Sequence, residues 1–273
     1  MPAPPEKRKA LIVVRTYPTP AKKGAEVSCT AAITEDGKWM RLFPIPWRAL
    51  DEEERFRKYQ WVEVTVSKPR DDSRPESFQL AAGVPIKILT QKPLTTKNNW
   101  KARWETLRPL IADSMCGLQK SRDERGFPTL GLFRPKTIQR LRIEDDDPEW
   151  TPAQIAILTQ GHLWQKKPLK QLEKVPYKFI YDYSCNNAEC KGHSMTCTDW
   201  EIAQSWRKWK HEYGAKWEDA FRNKYETEMI EKNDTHFYVG TVHKHPASWI
   251  IVGLFYPPKP QPSATGWLFG KPA

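Results

Sequence analysis

Within thirteen residues, 185–197, the chain reads CNNAECKGHSMTC. Thiolates and imidazoles are the side chains that hold zinc, which takes four such ligands in a tetrahedron. Cys185, Cys190, His193 and Cys197, spaced C-x4-C-x2-H-x3-C, make a Cys3His set on one short loop. Gly192 beside His193 offers the tight turn that wrapping an ion requires. The spacing is neither that of the retroviral-type knuckle nor that of the two-histidine finger. The expectation is a structural zinc ion. Cys197 adjoins a helix start and is the ligand most open to replacement by a residue from elsewhere, such as His211. Cys29 and Cys116 read as buried small apolar residues. A catalytic zinc would keep one position open and bring a carboxylate base. Asp199 and Glu201 are near, but the deaminase pattern of H-x-E with P-C-x-x-C is absent. Both acids are also explained by a helix N-terminus.

The rest of the chemistry is that of charge and flat rings. Lys and Arg number 44 against 33 Asp and Glu, a formal net charge of +11, and there are 13 tryptophans. A cationic surface draws polyanions by counterion release, and aromatic faces stack on unpaired bases. Trp39, Phe43 and Trp47 are the stacking candidates. Arg41, Arg48, Arg207, Lys208 and Lys210 are the phosphate candidates. Trp39, Arg41 and Phe43 alternate along one strand and share a face. Because arginine is rarely buried without a partner, that face reads as exposed. His243 and His245 read as a pair on one face of a strand, and Arg74 as part of a salt-bridged loop. Sequence patterns for phosphate loops, dinucleotide folds, serine hydrolases and zinc proteases are absent.

These residues need elements to hold them. Leu11–Arg15, Val27–Thr34, Trp39–Phe43 and Tyr59–Ser67 read as strands, with Asp36-Gly37 as turn chemistry between two of them. Short strands joined by tight turns imply a small closed barrel. A helix is expected over Trp100–Met115, strands over Thr129–Arg134 and Lys136–Ile143, a short helix from Thr151, and a strand over Pro176–Tyr183. Thr198-Asp199-Trp200-Glu201 fits a capping box. The helix it opens carries Ile202, Trp206, Trp209 and Tyr213 as one apolar stripe, stopped by Gly214. A second helix carries Trp217, Phe221, Tyr225 and Met229. Two closing strands span His236–Val242 and Trp249–Tyr256.

The stretch VSCTAAITEDGKWMRLFPI, following an opening strand, resembles the first barrel of the tandem OB-type (dual OB) proteins of prokaryotic conflict and defence loci. TLGLFRPK is similar to the start of a second barrel. The resemblance covers about 80 residues and departs from that group at the cysteine-rich stretch and the Trp-rich helices. It implies nucleic-acid handling in a prokaryotic setting and no particular reaction.

The fold class expected is α+β, with OB- or PUA-like small β-barrel elements and a zinc-stapled helical insertion carrying a basic arm. The division expected is an N-terminal barrel over 1–83, an α+β domain over 84–256 and a proline-rich tail over 257–273. The few, odd and clustered cysteines do not make a secreted disulfide scaffold, and no apolar run is long enough to span a bilayer. The reading is of a cytoplasmic nucleic-acid-binding protein, DNA or RNA undecided, with a protein partner possible and no membrane. The rival readings are a nuclease or base glycosylase, favoured by a deep pocket faced by an acid and a histidine, and an adaptor of a defence effector complex.

Overall fold

A computed structural model describes residues 4–22, 25–163 and 169–260. The first half holds seven strands: β1 (Glu6–Arg15), β2 (Thr19–Ala21), β3 (Ala25–Thr34), β4 (Trp39–Ile45), β5 (Trp61–Ser67), β6 (Ser77–Leu80) and β7 (Lys87–Ile88). Pairing runs β1-β3-β4-β6-β5 and returns to β1, closing a five-strand barrel. With the short β2 set aside, the ring order is 1-2-3-5-4-1, and β4–β6 is its one parallel pair. This is consistent with an OB-type barrel, whose second and third strands form its usual ligand face. The first sheet extends to Ile88, past the boundary expected at residue 83.

Alternation fills the barrel. Val62, Val64 and Val66 of β5 point in among Ile12, Ala32, Met40, Leu42 and Phe78. On β1, however, residues 10–14 are all buried, and Leu11 and Val13, with Ala31 and Ile33 of the neighbouring β3, point out of the barrel. They pack on Leu130, Leu132, Tyr238 and Val252 of the second half. A strand covered on both faces has no polar side, which is why ALIVV reads as an unbroken apolar run.

The second half is a seven-strand sheet in the order β10-β11-β12-β14-β13-β9-β8. Its strands are β8 (Ile111–Ala112), β9 (Leu130–Phe133), β10 (Thr137–Asp145), β11 (Tyr177–Ser184), β12 (His193–Cys197), β13 (His236–Val242) and β14 (His245–Phe255). Its helices are α1 (Lys97–Leu107), α2 (Met115–Arg125), α3 (Pro152–Leu163), α4 (Trp200–Tyr213), α5 (Trp217–Arg222) and α6 (Glu228–Glu231). Among the described residues, no helix is long and apolar enough to cross a membrane.

Several expectations change here. The helix expected over Trp100–Met115 ends at Leu107, before Pro109, and residues 115–125 form a separate helix. Ser114 caps α2 by accepting from the Gly117 N–H at 3.0 Å, and Gly126 ends it at φ 76°. The cap of α4 is Asp199 rather than Thr198: its carboxylate accepts from the Glu201 N–H at 2.6 Å. His243 and Lys244 form the turn between β13 and β14, so His243 and His245 do not share one strand. Nor do the Trp-rich helices project as an arm. Trp206, Trp217, Phe221, Tyr225 and Met229 pack into the main core with Phe179 and Tyr181. The spacing of four from Trp217 to Met229 drifts about 40° per step on an α-helix. A π turn at Asn223–Thr227 interrupts the helix and keeps the four residues in the core. The described part of the expected tail ends at residue 260, and the remainder lies outside the described residues.

The two halves are tied by Lys58. Its ammonium donates to Asp199 at 3.4 Å, to Glu201 at 3.1 Å and to the Leu254 carbonyl at 3.1 Å. The Asp199 carboxylate is 3% exposed. Removing one partner leaves a buried charge uncompensated, so Lys58→Met should cost about 3–5 kcal/mol of stability. Urea unfolding measures it, and a loss under about 1 kcal/mol would mean that the pair does not hold the seam.

Candidate functional site

The cysteine-rich stretch does not form one loop. Its first part turns between β11 and β12, and its last five residues are β12 itself. His193 and Cys197 therefore stand at opposite ends of an extended strand, about 13 Å apart at 3.3 Å per residue. One ion cannot bind both. Cys197 instead lies in the core, buried between its neighbours Phe179 and Ile251.

The fourth position belongs to Cys116, in the first turn of α2. The sulfurs of Cys116, Cys185 and Cys190 and a ring nitrogen of His193 all lie within 4.8 Å of one another, close enough to hold a metal ion. Cys116 Sγ is 3.4 Å from Cys185 Sγ and 3.4 Å from His193 Nε2. Burial and the neighbouring Cys185 push the Cys116 thiol up to about 12. At Cys190 burial works the same way, but the N–H groups of Cys185 and Gly192 outweigh it and hold the thiol below its ordinary value. Burial lowers the His193 pKa, favouring the neutral imidazole that ligates metals. Tyr183 stacks on the His193 ring at 5.1 Å and fixes its plane. His211 is not among the four. The sequence signal for Cys116 was weak, because 69 residues separate it from Cys185.

A second feature lies where the two halves meet. A cleft of about 620 Å³ opens beside the loop after β1, between the face of β3 and β4 and the second sheet. Tyr17, Phe43 and Trp150 give it aromatic walls, and Arg74, Lys174, Lys178 and His243 border it. Phe43 is 41% exposed, and the Thr241 hydroxyl is buried without a hydrogen-bond partner. The carboxylates here are engaged. Asp199 accepts from the Leu254 and Glu201 N–H groups and from Lys58, Asp72 holds Arg74 through both oxygens, and Asp146 pairs with Lys174 and Lys178. Arg74 also donates to the Thr241 carbonyl at 2.5 Å, so its loop is clamped to β13.

The strand face expected to be exposed is mostly covered. Arg41 is 2% exposed and donates to the Ser77 hydroxyl, the Thr129 hydroxyl and the Thr129 carbonyl, with Glu76 bound to the same Thr129. The rule that a buried arginine needs partners holds; one, Ser77, comes from β6 of the same barrel, and the other, Thr129, from the other half of the chain. Trp39 packs edge-on against Tyr238 at 6.2 Å. On that face Phe43 is exposed and Trp39 half-buried. Trp47, Arg48 and Arg207 come together in a separate groove, with Trp200 and Arg55. Lys208 and Lys210 are exposed on α4.

A family model described as Domain of unknown function (DUF8757) matches residues 111–270, more than half of the chain. The chain belongs to that family. A second model, Domain of unknown function (DUF8758), matches residues 6–109. No curated protein matches the chain. The two models meet between residues 109 and 111, where the first sheet has ended and β8 begins.

Since Trp39 is half-buried against Tyr238, Trp39→Ala should lower stability by about 2 kcal/mol. A melting curve superimposed on that of the wild type would place Trp39 outside the packed seam.

Proposed function

We propose that the chain is a nucleic-acid-binding protein that receives an unpaired base in the cleft between its barrel and its second sheet. The observation carrying this is the cleft's position. It lies on the second- and third-strand face and beside the first loop of an OB-type barrel, the region such barrels use for oligonucleotides. A volume of about 620 Å³ suits one nucleoside, a base with its sugar. Phe43 and Tyr17 supply planar faces, while Arg74, Lys174 and the net charge of +11 draw phosphate. Asp146, Asp199 and His243 line the cleft, the combination that would favour a nuclease or glycosylase. Binding is the reading favoured because Asp146 is paired with Lys174 and Lys178, Asp199 is held by Lys58 and two N–H groups, and His243 faces Asp72 at 3.7 Å. A role in prokaryotic defence rests on the resemblance of the N-terminal barrel.

Single-stranded oligonucleotides should bind with an affinity that falls steeply with salt. Phe43→Ala should weaken binding by about 1–3 kcal/mol with the melting temperature unchanged, as loss of a stacking face does. Fluorescence anisotropy at several salt concentrations measures both. No binding of any oligonucleotide at low salt overturns the reading.

We further propose that Cys116, Cys185, Cys190 and His193 hold a structural zinc ion. Zinc–sulfur bonds of 2.3 Å place tetrahedral sulfurs about 3.7 Å apart, in keeping with the 3.4 Å between Cys116 and Cys185. Four protein ligands leave no open position, so the ion would staple α2 to the β11–β12 turn. Metal analysis should find one zinc per chain. Cys116→Ser and Cys190→Ser should lose zinc and melt lower, while Cys197→Ser retains it. A full zinc complement in Cys116→Ser would remove Cys116 from the set.

A further inference from the structure

On the far side of Tyr17 from the cleft lies a smaller groove of about 260 Å³, bordered by Trp47, Trp200, Arg48, Arg55 and Arg207. Tyr17 lines both spaces. Against the faces of both tryptophans lies the guanidinium of Arg15, 3.6 Å from the centre of the Trp47 ring and 4.0 Å from that of Trp200. Its Nε is buried with no hydrogen-bond partner. Burial lowers its pKa to about 10, against the nearby charges of Glu201 and Asp199, so it keeps its charge at neutral pH.

The charges of this groove do not cancel. Arg48 pairs with Glu26 at 2.9 Å and Arg207 with Glu173 at 2.6 Å. Among the described residues, Arg55 donates to carbonyl oxygens, those of Leu50 and Arg48. Among the described residues, no carboxylate comes within ion-pair distance of Arg15 or Arg55. Asp199 and Glu201, whose charges act on Arg15, both pair with Lys58, which offsets one of them and leaves the other to balance Arg15. Arg55 therefore remains a cation without an acid at a groove walled by two indoles, a surrounding of lower dielectric than water in which its field reaches an incoming anion less screened. Guanidinium groups match the oxygens of phosphate in geometry as well as charge.

We infer that this groove is a phosphate site, and that it takes the backbone phosphate next to the base held in the cleft. The inference rests on the proposed nucleic-acid reading for the identity of the strand, but not for the anion itself. Arg55 is the contact residue of choice, being exposed and free of carboxylates, with Arg207 opposite it on α4. Arg15 acts from behind the rings as a fixed charge. The Tyr17 hydroxyl, engaged with the Glu173 carbonyl at 2.6 Å, holds the partition between base and phosphate in place.

The test uses the full chain and inorganic phosphate alone. Titration followed by the arginine Nε–H resonances should move the Arg48, Arg55 and Arg207 signals together to saturation. Arg55→Gln and Arg207→Gln should each abolish saturation, and Lys120→Gln, the same charge change on α2, should not. With a single-stranded oligonucleotide, Arg55→Gln should weaken binding about tenfold and reduce the salt slope by about 0.7, as loss of one phosphate contact does. Thermal melts of each variant establish that it is folded. Absence of any saturable phosphate shift in the wild type overturns the inference, as does saturation that survives both arginine variants. Oligonucleotide binding that persists in that case leaves the proposed function standing without this site. Phosphate saturation with no oligonucleotide binding has the opposite meaning: the site stands, and the strand is not its ligand.

Discussion

The molecule is organised by one buried carboxylate. Asp199 closes the first turn of α4, accepts the Leu254 N–H of β14 at 2.9 Å, and receives the Lys58 ammonium from the barrel. A helix cap, a sheet strand and the opposite half of the chain meet on a single side chain. Burial alone would depress the Lys58 pKa, but Asp199 and Glu201 outweigh it and hold the ammonium firmly charged. Around this point the approach is close. A Cβ on Gly253 would stand 2.9 Å from Val14 and 3.2 Å from the Asp199 carboxylate. Backbone bonds reinforce it, with Thr16 bridging Asp199 and the Tyr17 N–H donating to the Thr198 carbonyl. The charge pair fixes registry at the seam, while the apolar cluster of Leu11, Val13, Tyr238 and Phe255 supplies most of the burial.

This seam explains where ligand sites are available. An OB-type barrel on its own would offer the outer face of β3 and β4 to a strand. Here the second sheet occupies the middle of that face, with Arg41 and Trp39 converted into packing residues. What remains is its margin, where the sheets diverge beyond Phe43 and the loop after β1 stands away from Val175 and Tyr177. A covered platform becomes a walled cleft. Its walls come from both halves of the chain, with Phe43 on one side and Val175 and Tyr177 on the other.

The sequence was legible wherever the information was local. Alternation marked β5, the Asp36-Gly37 turn marked the β3–β4 hairpin, and the apolar stripe marked α4 through Trp209. Helix α2 was missed because MCGLQKSRDER buries only Met115 and Leu118 and shows almost no periodicity. Its signals were at its ends, in Ser114 and Gly126. The burial of Arg41 was hidden for a different reason. Its partners, Ser77 and Thr129, lie 36 and 88 residues away, and nothing in WMRLF announces that a second sheet will supply a carbonyl.

The cysteine–histidine cluster, which could hold a metal ion, illustrates both limits at once. C-x4-C-x2-H was readable because three of its members lie close in sequence, but the fourth depended on whether HSMTC was loop or strand. Met195 and Cys197 alternate with Ser194 and Thr196 in the burial pattern ieBiB, the period of a strand with one face in the core. That alternation already argued against a loop wrapping an ion. Once β12 is extended, Cys197 is carried to the cleft end of the sheet and leaves the cluster one donor short. Any fourth donor must then come from an element lying against the other end of the strand. The α2 N-terminus, which carries Cys116, meets that requirement. Strand geometry, more than cysteine spacing, decides which thiol joins the set.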